Sequence, residues 1–399
     1  MIEPRTLKGF RDFLPQQAKK RQYVIKILTK VFESYGFEPL ETPVLEYEDI
    51  LSGKYGEEGD KLMYRFTDNG DRSVAMRYDQ TVPLARVVAQ HQNSLVFPFK
   101  RYQIQNVWRA ENTQKGRFRE FIQCDIDTVG SQNELADAEI LSLVAKAYSA
   151  LGFSNFSIII NDRKIFAGFD TTAITIIDKL KKIGEEAVIK ELKNIGVSQE
   201  QFNSVKNAQV PESLGKIQSL AYELGVDKKI LQFDPTLARG LDYYTGLIFE
   251  VVCDDYPVGS LCGGGRYDKL IGMFSSQDIP AVGCAFGFDR TIEAMDALSL
   301  FPRGIYTTNV LVTVFSKDLM QDSVRLCAEL REKNINAEMY LDLPAKMEKQ
   351  LKYAHKKEIP YVILLGSDEI QNKTVTLKNM QTGEQKTISQ EELTPELFI

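Results

Sequence analysis

The sequence predicts an α+β unit built on an antiparallel sheet flanked by helices, carrying a helical insertion, and followed by a small α/β unit. Three observations carry this. Two pairs of alternating runs are joined by turn-like loops, Asp-Asn-Gly-Asp at 68–71 and "NTQKG" at 112–116, the pattern of antiparallel hairpins. From about residue 162 to 231 the pattern is helical and charged, as in "IDKLKKIGEEAVIKELKNIG". From Asn309 onward, short apolar runs alternate with helical ones, which points to an α/β unit with a mostly parallel sheet. The expected units are therefore 1–305, with the insertion at about 162–231, and 309–399.

The elements follow in order. Gln17 to Tyr35 reads as a helix, with Val24, Leu28, Val31 and Phe32 on one face and Gly36 as a stop. "FEPLETPVLEY" is extended, because Pro39 and Pro43 exclude a helix. "KLMYRFTDNGDRSVAMRYD" is a hairpin, and "TVPLARVVAQH" a short helix with Pro83 in its first turn. "RYQIQNVWRAE" and "RFREFIQCDIDTVG" form a second, larger hairpin, with Arg117 and Arg119 beginning its returning strand. Asn133 to Leu151 is a helix. After the insertion, strand character returns with "RGLDYYTGLIFEVV", which Arg239 opens, and "LFPRGIYTTN" is a linker. Beyond it, "VLVTVF", "INAEMYL", "YVILLG" and "TVTLKN" read as strands, and "DSVRLCAELREKN" and "KMEKQLKYAHKKE" as helices.

Composition bounds the chemistry. With 43% hydrophobic and 26% charged residues, the chain is of ordinary globular type. The first residues lack the apolar core of a secretory signal. No apolar run approaches the roughly 18 residues needed to span a bilayer. The five cysteines are scattered with no CxxC, which argues for a reducing cytoplasm and against a structural zinc site. His91 and His355 are the only histidines and lie in no motif, so the chemistry proceeds without an imidazole of the protein's own. The net charge of −6 is unlike a nucleic-acid binder, although only a contacting face needs to be basic.

Arginines on strands around a shared cleft suit a polyphosphate, because the planar guanidinium pairs with phosphate oxygens. Arg109, Arg117, Arg119, Arg239 and Arg290 are the candidates. The alternative is a set of solvated arginines on strand faces. Period-two alternation keeps Arg117, Arg119, Gln123, Asp125 and Asp127 on one face of their strand.

Here the residues acquire a family. "VWRAENTQKGRFREFIQCDID" resembles the second signature motif of class II aminoacyl-tRNA synthetases, "GCAFGFDR" resembles the third, and Pro43 in "LETPVLEY" sits where the first has its proline. "RYDQTVPLAR", "RGLDYYTG" and "CGGGRYD" resemble the histidyl-tRNA synthetase family in particular. The C-terminal "KQLKYAHKKEIPYVILLGSDE" resembles that family's anticodon-binding domain. One departure is Trp108, where Phe or Tyr is expected. It fills the same core space.

The resemblance implies a class II catalytic domain and an α/β anticodon-binding domain. It implies an enzyme that joins L-histidine to ATP, releases pyrophosphate, and moves histidine to the 3′ end of tRNA(His). Arg109 would bind the α-phosphate, Glu111 would sit at the adenine side, and Arg117 and Arg290 would hold the β and γ phosphates. Phe121 would either stack on adenine or serve as a core aromatic. Mg2+ would bridge phosphate oxygens, as it prefers oxygen ligands and keeps waters. Asp79, Thr81 and Gln123 would accept from the histidine ammonium. Asp127, at a position where the family has Glu or Asp, and Tyr244 would bond the ring nitrogens, with Tyr243 and Tyr267 as walls. Arg239 would take the place of a metal between the histidine carboxylate and the α-phosphate; the alternative is a salt bridge to an acid such as Asp242. Arg239, Arg109 and Gln123 form the catalytic set. The glycines of "CGGGRYD" read either as a strand bend or as room for a close approach.

The resemblance also implies a homodimer built on the first motif. Lys346, Lys349, Lys352 and Lys356 fall on one helix face toward an anticodon stem, although residues 309–399 hold 12 Lys and Arg against 14 Asp and Glu. A rival reading is the non-catalytic regulatory subunit of ATP phosphoribosyltransferase, which lacks the C-terminal domain and an intact "RGLDYYTG". A tRNA-sensing module with a decayed site, or another class II synthetase, would lack the retained arginines or the double tyrosine.

Overall fold

Pro15 starts the first helix, α1 (Pro15–Ser34), where its fixed φ suits the first turn. A computed structural model describes residues 1–54, 56–112, 117–239, 243–302, 304–305 and 307–398. Two compact units emerge, Met1–Leu14 with Arg21–Leu300, and Pro15–Lys20 with Phe301–Ile399. No helix among the described residues is long and apolar enough to cross a membrane.

In the first unit, β1 (Glu38–Pro39) and β2 (Leu45–Tyr47) precede the short helices α2 (Glu48–Leu51) and α3 (Gly56–Lys61). The first hairpin is β3 (Arg65–Thr67) and β4 (Ser73–Met76), and with β2 it forms a three-stranded sheet in the order β2-β4-β3. Asp68 closes its turn by accepting from Gly70 N and Arg72 N. Helix α4 (Thr81–His91) leads to the second hairpin, β5 (Phe99–Trp108) and β6 (Glu120–Val129). Helix α5 (Glu134–Ala150), capped by Asn133 accepting from Leu135 N, crosses to β7 (Phe156–Asp162). The insertion holds α6 (Thr171–Asp178), α7 (Leu180–Ile183), α8 (Glu185–Asn194), α9 (Gln199–Lys206) and α10 (Glu212–Glu223). The chain returns through β8 (Leu231–Phe233), β9 (Leu247–Cys253), β10 (Cys262–Arg266), β11 (Ala281–Phe286) and α11 (Phe288–Ala297).

Eight of these strands make one sheet in the order β1-β5-β6-β11-β10-β9-β7-β8. Its middle is antiparallel, and only the outer pairs β1–β5 and β7–β8 are parallel. β7 is buried throughout, an element the sequence reading did not name. Its continuous apolar run carries no period that separates strand from helix.

Two expectations about strand starts are corrected. Strand β6 begins at Glu120, not at Arg117 or Arg119. The Arg119 backbone N–H turns instead to the carbonyl of Gly9 at 2.9 Å. Arg239 does not open a strand, because β9 begins only at Leu247. Asn161 Nδ2 donates to the carbonyls of Pro235 and Leu237, both at 2.9 Å, and so holds the chain ahead of Arg239 off the ladder.

The second unit contains β12 (Val310–Val312), α12 (Met320–Glu332), β13 (Ala337–Met339), α13 (Met347–Lys356), β14 (Tyr361–Leu364), α14 (Ser367–Asn372), β15 (Thr374–Asn379) and β16 (Gln385–Ser389). The sheet order is β13-β12-β14-β15-β16. It is mixed rather than mostly parallel: β13, β12 and β14 are parallel, while β15 and β16 are antiparallel. The connection from β15 to β16 is a tight turn held by Asn379, too short for the crossover a parallel partner needs. β16 is mostly polar, with Ile388 alone packing on the core, so no apolar alternation announced it.

Candidate active site

Odd-numbered residues of β5 and β6 build one wall. The register sets Arg101 opposite Asp127, Gln103 opposite Asp125 and Gln105 opposite Gln123. Arg101, Gln103, Gln123, Asp125 and Asp127 are all buried. Arg101 forms an ion pair with Asp127 at 2.6 Å, and the Tyr267 hydroxyl donates to the other Asp127 oxygen. Gln123 Nε2 donates to Asp125 at 2.8 Å. Its backbone carbonyl accepts from Gln80 Nε2 at 3.1 Å.

Burial concentrates charge effects here. It pushes the Asp127 carboxyl up to about 6, with Arg101 and the Tyr267 hydroxyl pulling down and Asp79 pushing up. Burial also drives Asp125 well above the carboxylate range, against the pull of Arg101. Asp79 acts on both, and on Tyr243, so its carboxylate faces the same space. It also accepts from Val82 N at 3.1 Å, at the start of α4, where Thr81 is the first helical residue.

Three tyrosines close this space. The rings of Tyr243 and Tyr244 are 4.8 Å apart, and those of Tyr243 and Tyr267 5.8 Å apart at 73°. Arg239 reaches in beside them, its Cζ 5.9 Å from the Tyr244 ring centre. Asp242, the alternative partner of Arg239, lies outside the described residues, as do Gly240, Leu241 and residues 113–116 of the β5–β6 loop.

The glycines of β10 form no bend, and the room they leave is taken by the chain's own residues. β10 keeps regular register with β9 and β11. A Cβ at Gly265 would stand 2.8 Å from the Tyr244 ring. On β11, a Cβ at Gly283 would stand 2.0 Å from Asp127 Oδ1. These spaces are filled by the chain's own site residues.

The phosphate-side candidates divide. Arg109 lies over the rings of Tyr78 and Phe121, at 4.5 and 5.2 Å, and donates through Nε to the Tyr78 carbonyl at 3.1 Å. Phe121 is therefore a platform for this guanidinium. Glu111 faces Arg117 at 3.6 Å, and Arg117 is 63% exposed. At the start of α11, Arg290 Nη1 donates to the Ser260 carbonyl at 2.6 Å. Both histidines are exposed.

Sequence reasoning missed Arg101 and Gln103, and read Asp125 only as one acid on a face. Arg77 was missed as well. It is buried and donates to the carbonyls of Asn106 and Thr42 and to Gln105 Oε1, at 2.8, 2.7 and 2.7 Å. Among the described residues, no group of three or more His, Cys, Asp or Glu side chains is placed to hold a metal ion.

Several buried polar atoms find no hydrogen-bond partner among the described residues, among them Gln80 Oε1, Gln123 Oε1, Asp125 Oδ1, Arg101 Nε and Nη2, and Arg239 Nε. Buried polar groups are ordinarily satisfied, so these open acceptors and donors are available to a polar ligand.

Known proteins resemble the chain over its whole length. The family model described as histidyl-tRNA synthetase matches residues 9–177 and 167–291, and an anticodon binding domain model matches 309–397. A histidine–tRNA ligase of Cytophaga hutchinsonii is 39% identical, with 100% of each chain covered. The crystal structure of a histidyl-tRNA synthetase from Nostoc sp. PCC 7120 superposes with a TM-score of 0.87 at 30% identity, covering 98% of this chain and 99% of that one. A structure described as an ATP phosphoribosyltransferase regulatory subunit/histidyl-tRNA synthetase, from Bacillus halodurans, has a TM-score of 0.73 at 21% identity. It covers 88% of this chain and 97% of its own, and shows the fold alone.

Proposed function

The chain belongs to the histidyl-tRNA synthetase family, and from that membership we propose how its own residues join histidine to tRNA. It is an aminoacyl-tRNA ligase with a class II catalytic unit. The histidine carboxylate attacks the α-phosphorus of ATP, the bond to the bridging oxygen breaks, and pyrophosphate leaves. The 3′-terminal hydroxyl of the tRNA then attacks the histidyl carbonyl, and AMP departs.

One observation carries the assignment of roles. A free amino acid brings an ammonium and a carboxylate, and the space beside the tyrosines offers unpartnered buried acceptors on Gln123 and Asp125 and an unpartnered donor on Arg239. The ammonium goes to Gln123, with Asp79 and Thr81 near the start of α4. The ring goes to Asp127 and Tyr244, between Tyr243 and Tyr267. The carboxylate and α-phosphate go to Arg239 and Arg109. Glu111 and Arg117 take the rest of ATP, with Phe121 beneath the Arg109 guanidinium or, once Arg109 turns to the phosphate, beneath the adenine. Arg290 joins them at the γ-phosphate once it gives up the Ser260 carbonyl. Mg2+ would be held by the phosphate and water oxygens of bound ATP, where it would draw off charge from the leaving pyrophosphate.

The reading extends to a cytoplasmic homodimer that binds tRNA(His) through residues 309–399. Val44, Leu45, Tyr47 and Phe66 are exposed on the small sheet and at the bend that enters it, an apolar face of the kind an interface covers. Lys346, Lys349, Lys352 and Lys356 are exposed along α13 and at its cap. Lys352 pairs with Glu348 at 2.8 Å, a contact phosphate competes with. The test is pyrophosphate exchange with each amino acid in turn. Exchange that depends on histidine alone is expected; exchange with another amino acid, or with none, rejects the reading.

A further inference from the structure

We propose that Arg101 is a positioning residue for amino-acid recognition, holding the Asp127 carboxylate across the β5–β6 ladder at the place where the histidine ring is read. The inference rests on the histidine-binding role given to Asp127 above. Nothing in the motifs pointed to Arg101, which lies upstream of all the residues that carry the second signature.

Arg101 has no exposed surface and is the largest fully buried side chain. Burying a guanidinium is costly unless its geometry and partners are good. Its register partner is Asp127 itself. The Asp127 carboxylate is then held at both oxygens, with room left on a third side. Arg101 meets Oδ2 at 2.6 Å, the Tyr267 hydroxyl donates to Oδ1, and Gly283 leaves room on the β11 side. A carboxylate has about four lone-pair sites, so sites remain for a ligand N–H.

Arg101 is itself anchored. Its Nη1 donates to Gln103 Oε1 at 3.3 Å, and Gln103 Nε2 donates to Thr42 Oγ1 at 2.8 Å and Gln105 Oε1 at 2.7 Å. A continuous polar chain thus runs from Thr42, beside Pro43, to the Asp127 carboxylate. The groups that act on Asp127 are Arg101 from β5, Asp125 on its own strand, Asp79 ahead of α4, Tyr267 after β10 and Cys284 on β11. Arg101 is the cation of this set. Removing it leaves a buried acid beside other acids, and that acid takes up a proton. A protonated Asp127 is no longer the ionised acceptor the ring requires.

The experiment compares Arg101→Leu and Arg101→Lys with the wild type in histidine-dependent pyrophosphate exchange. The KM values for histidine and ATP are measured separately, and kcat/KM for histidine is followed against pH. Free histidine titrates in the same range, but its titration is common to every variant, so differences between variants are the enzyme's. For Arg101→Leu we expect histidine KM to rise about tenfold or more, with ATP KM within about twofold. The acid limb of kcat/KM should move up by about one pH unit or more. Arg101→Lys keeps the charge and loses the fork, so histidine KM rises while the acid limb stays near that of the wild type. A histidine KM that does not move, a rise shared equally by ATP, or a raised KM with an unmoved acid limb in Arg101→Leu overturns the proposal. Should Arg101→Leu not fold, Arg101→Lys decides alone: an unchanged histidine KM overturns it. If the wild type itself shows no histidine-dependent exchange, it is the functional reading that fails.

Discussion

A methyl group at position 263 would stand 1.8 Å from Nη1 of Arg239, so Gly263 is the seat of that guanidinium. The colliding atom is the end of a flexible side chain. Gly263→Ala is therefore expected to fold, with a melting temperature near that of the wild type, while pushing Arg239 aside. Pyrophosphate exchange should fall by about 10²-fold, the usual effect of losing one aimed donor. Gly264→Ala should do the reverse. Its Cβ meets the Gly283 carbonyl at 2.2 Å and Cys284 Cβ at 2.4 Å, so overpacking costs about 1–3 kcal/mol of stability. Thermal melts and exchange rates on both variants separate the cases; a fully active Gly263→Ala enzyme would contradict this role.

Arg239→Lys keeps the positive charge but cannot span two anionic groups. Exchange should slow by about 10²–10³-fold, since fixed donors aimed at developing charge act in the transition state. Melting temperature should change little, and histidine KM should rise far less than exchange slows, because the lysine still offers a charge to the carboxylate. Near-normal exchange would show that paired geometry is not needed.

Asp127→Ala should raise histidine KM, leaving ATP KM nearly unchanged, by the equivalent of about 1–3 kcal/mol. A histidine KM that stays put rejects the role. The pH dependence follows from the same group. Its carboxyl sits at about 6 because burial disfavours the charge. The acceptor is thus ionised above that pH and lost as pH falls through it. Histidine binding by the wild type should weaken below about pH 6 more steeply than the titration of free histidine accounts for. Isothermal titration between pH 5 and 8 measures the excess.

The homodimer depends on the exposed apolar residues of the small sheet. Leu45→Asp with Phe66→Asp should halve the mass seen by light scattering, from two chains of 45.3 kDa to one. A wild type that already scatters as a single chain at micromolar concentration removes the premise.

Reversing charge on α13 and its cap, by Lys346→Glu with Lys356→Glu, should weaken tRNA charging and leave pyrophosphate exchange unchanged. The loss should be larger at low salt, because phosphate contacts release counterions. Equal loss of both activities would count against a separate tRNA role for this unit.

The β5–β6 hairpin was legible because its alternation is strong on both sides of one loop. Its register was legible too, had it been counted. Arg101 and Asp127 each lie thirteen residues from Gln114, the middle of "NTQKG", and a symmetric hairpin pairs such residues. What hid Arg101 was its type: an arginine on a strand reads as surface until its partner is known. Arg239 was misplaced for the opposite reason. The residues after it have strand character, but side-chain bonds from Asn161 hold the preceding segment away from the sheet. β16 went unnoticed because Ile388 is its one apolar residue, and the glycines of β10 could be interpreted only once the side chains above them were in view.

The helical insertion lies between two strands that run the same way, β7 and β8, with Ile158 beside Leu231 and Ile160 beside Phe233. A chain leaving the far end of β7 must travel back before it can enter β8. Residues 163–230 make that return journey, and about a dozen residues is the least that suffices. The length of this stretch can change, but whatever replaces it must still cover the core where Ile174, Ile177, Val188 and Phe202 pack with Tyr244, Ile248 and Tyr267. It is not free to vanish. A lineage that deleted it outright would forfeit β8, and with β8 the approach of the segment that delivers Arg239.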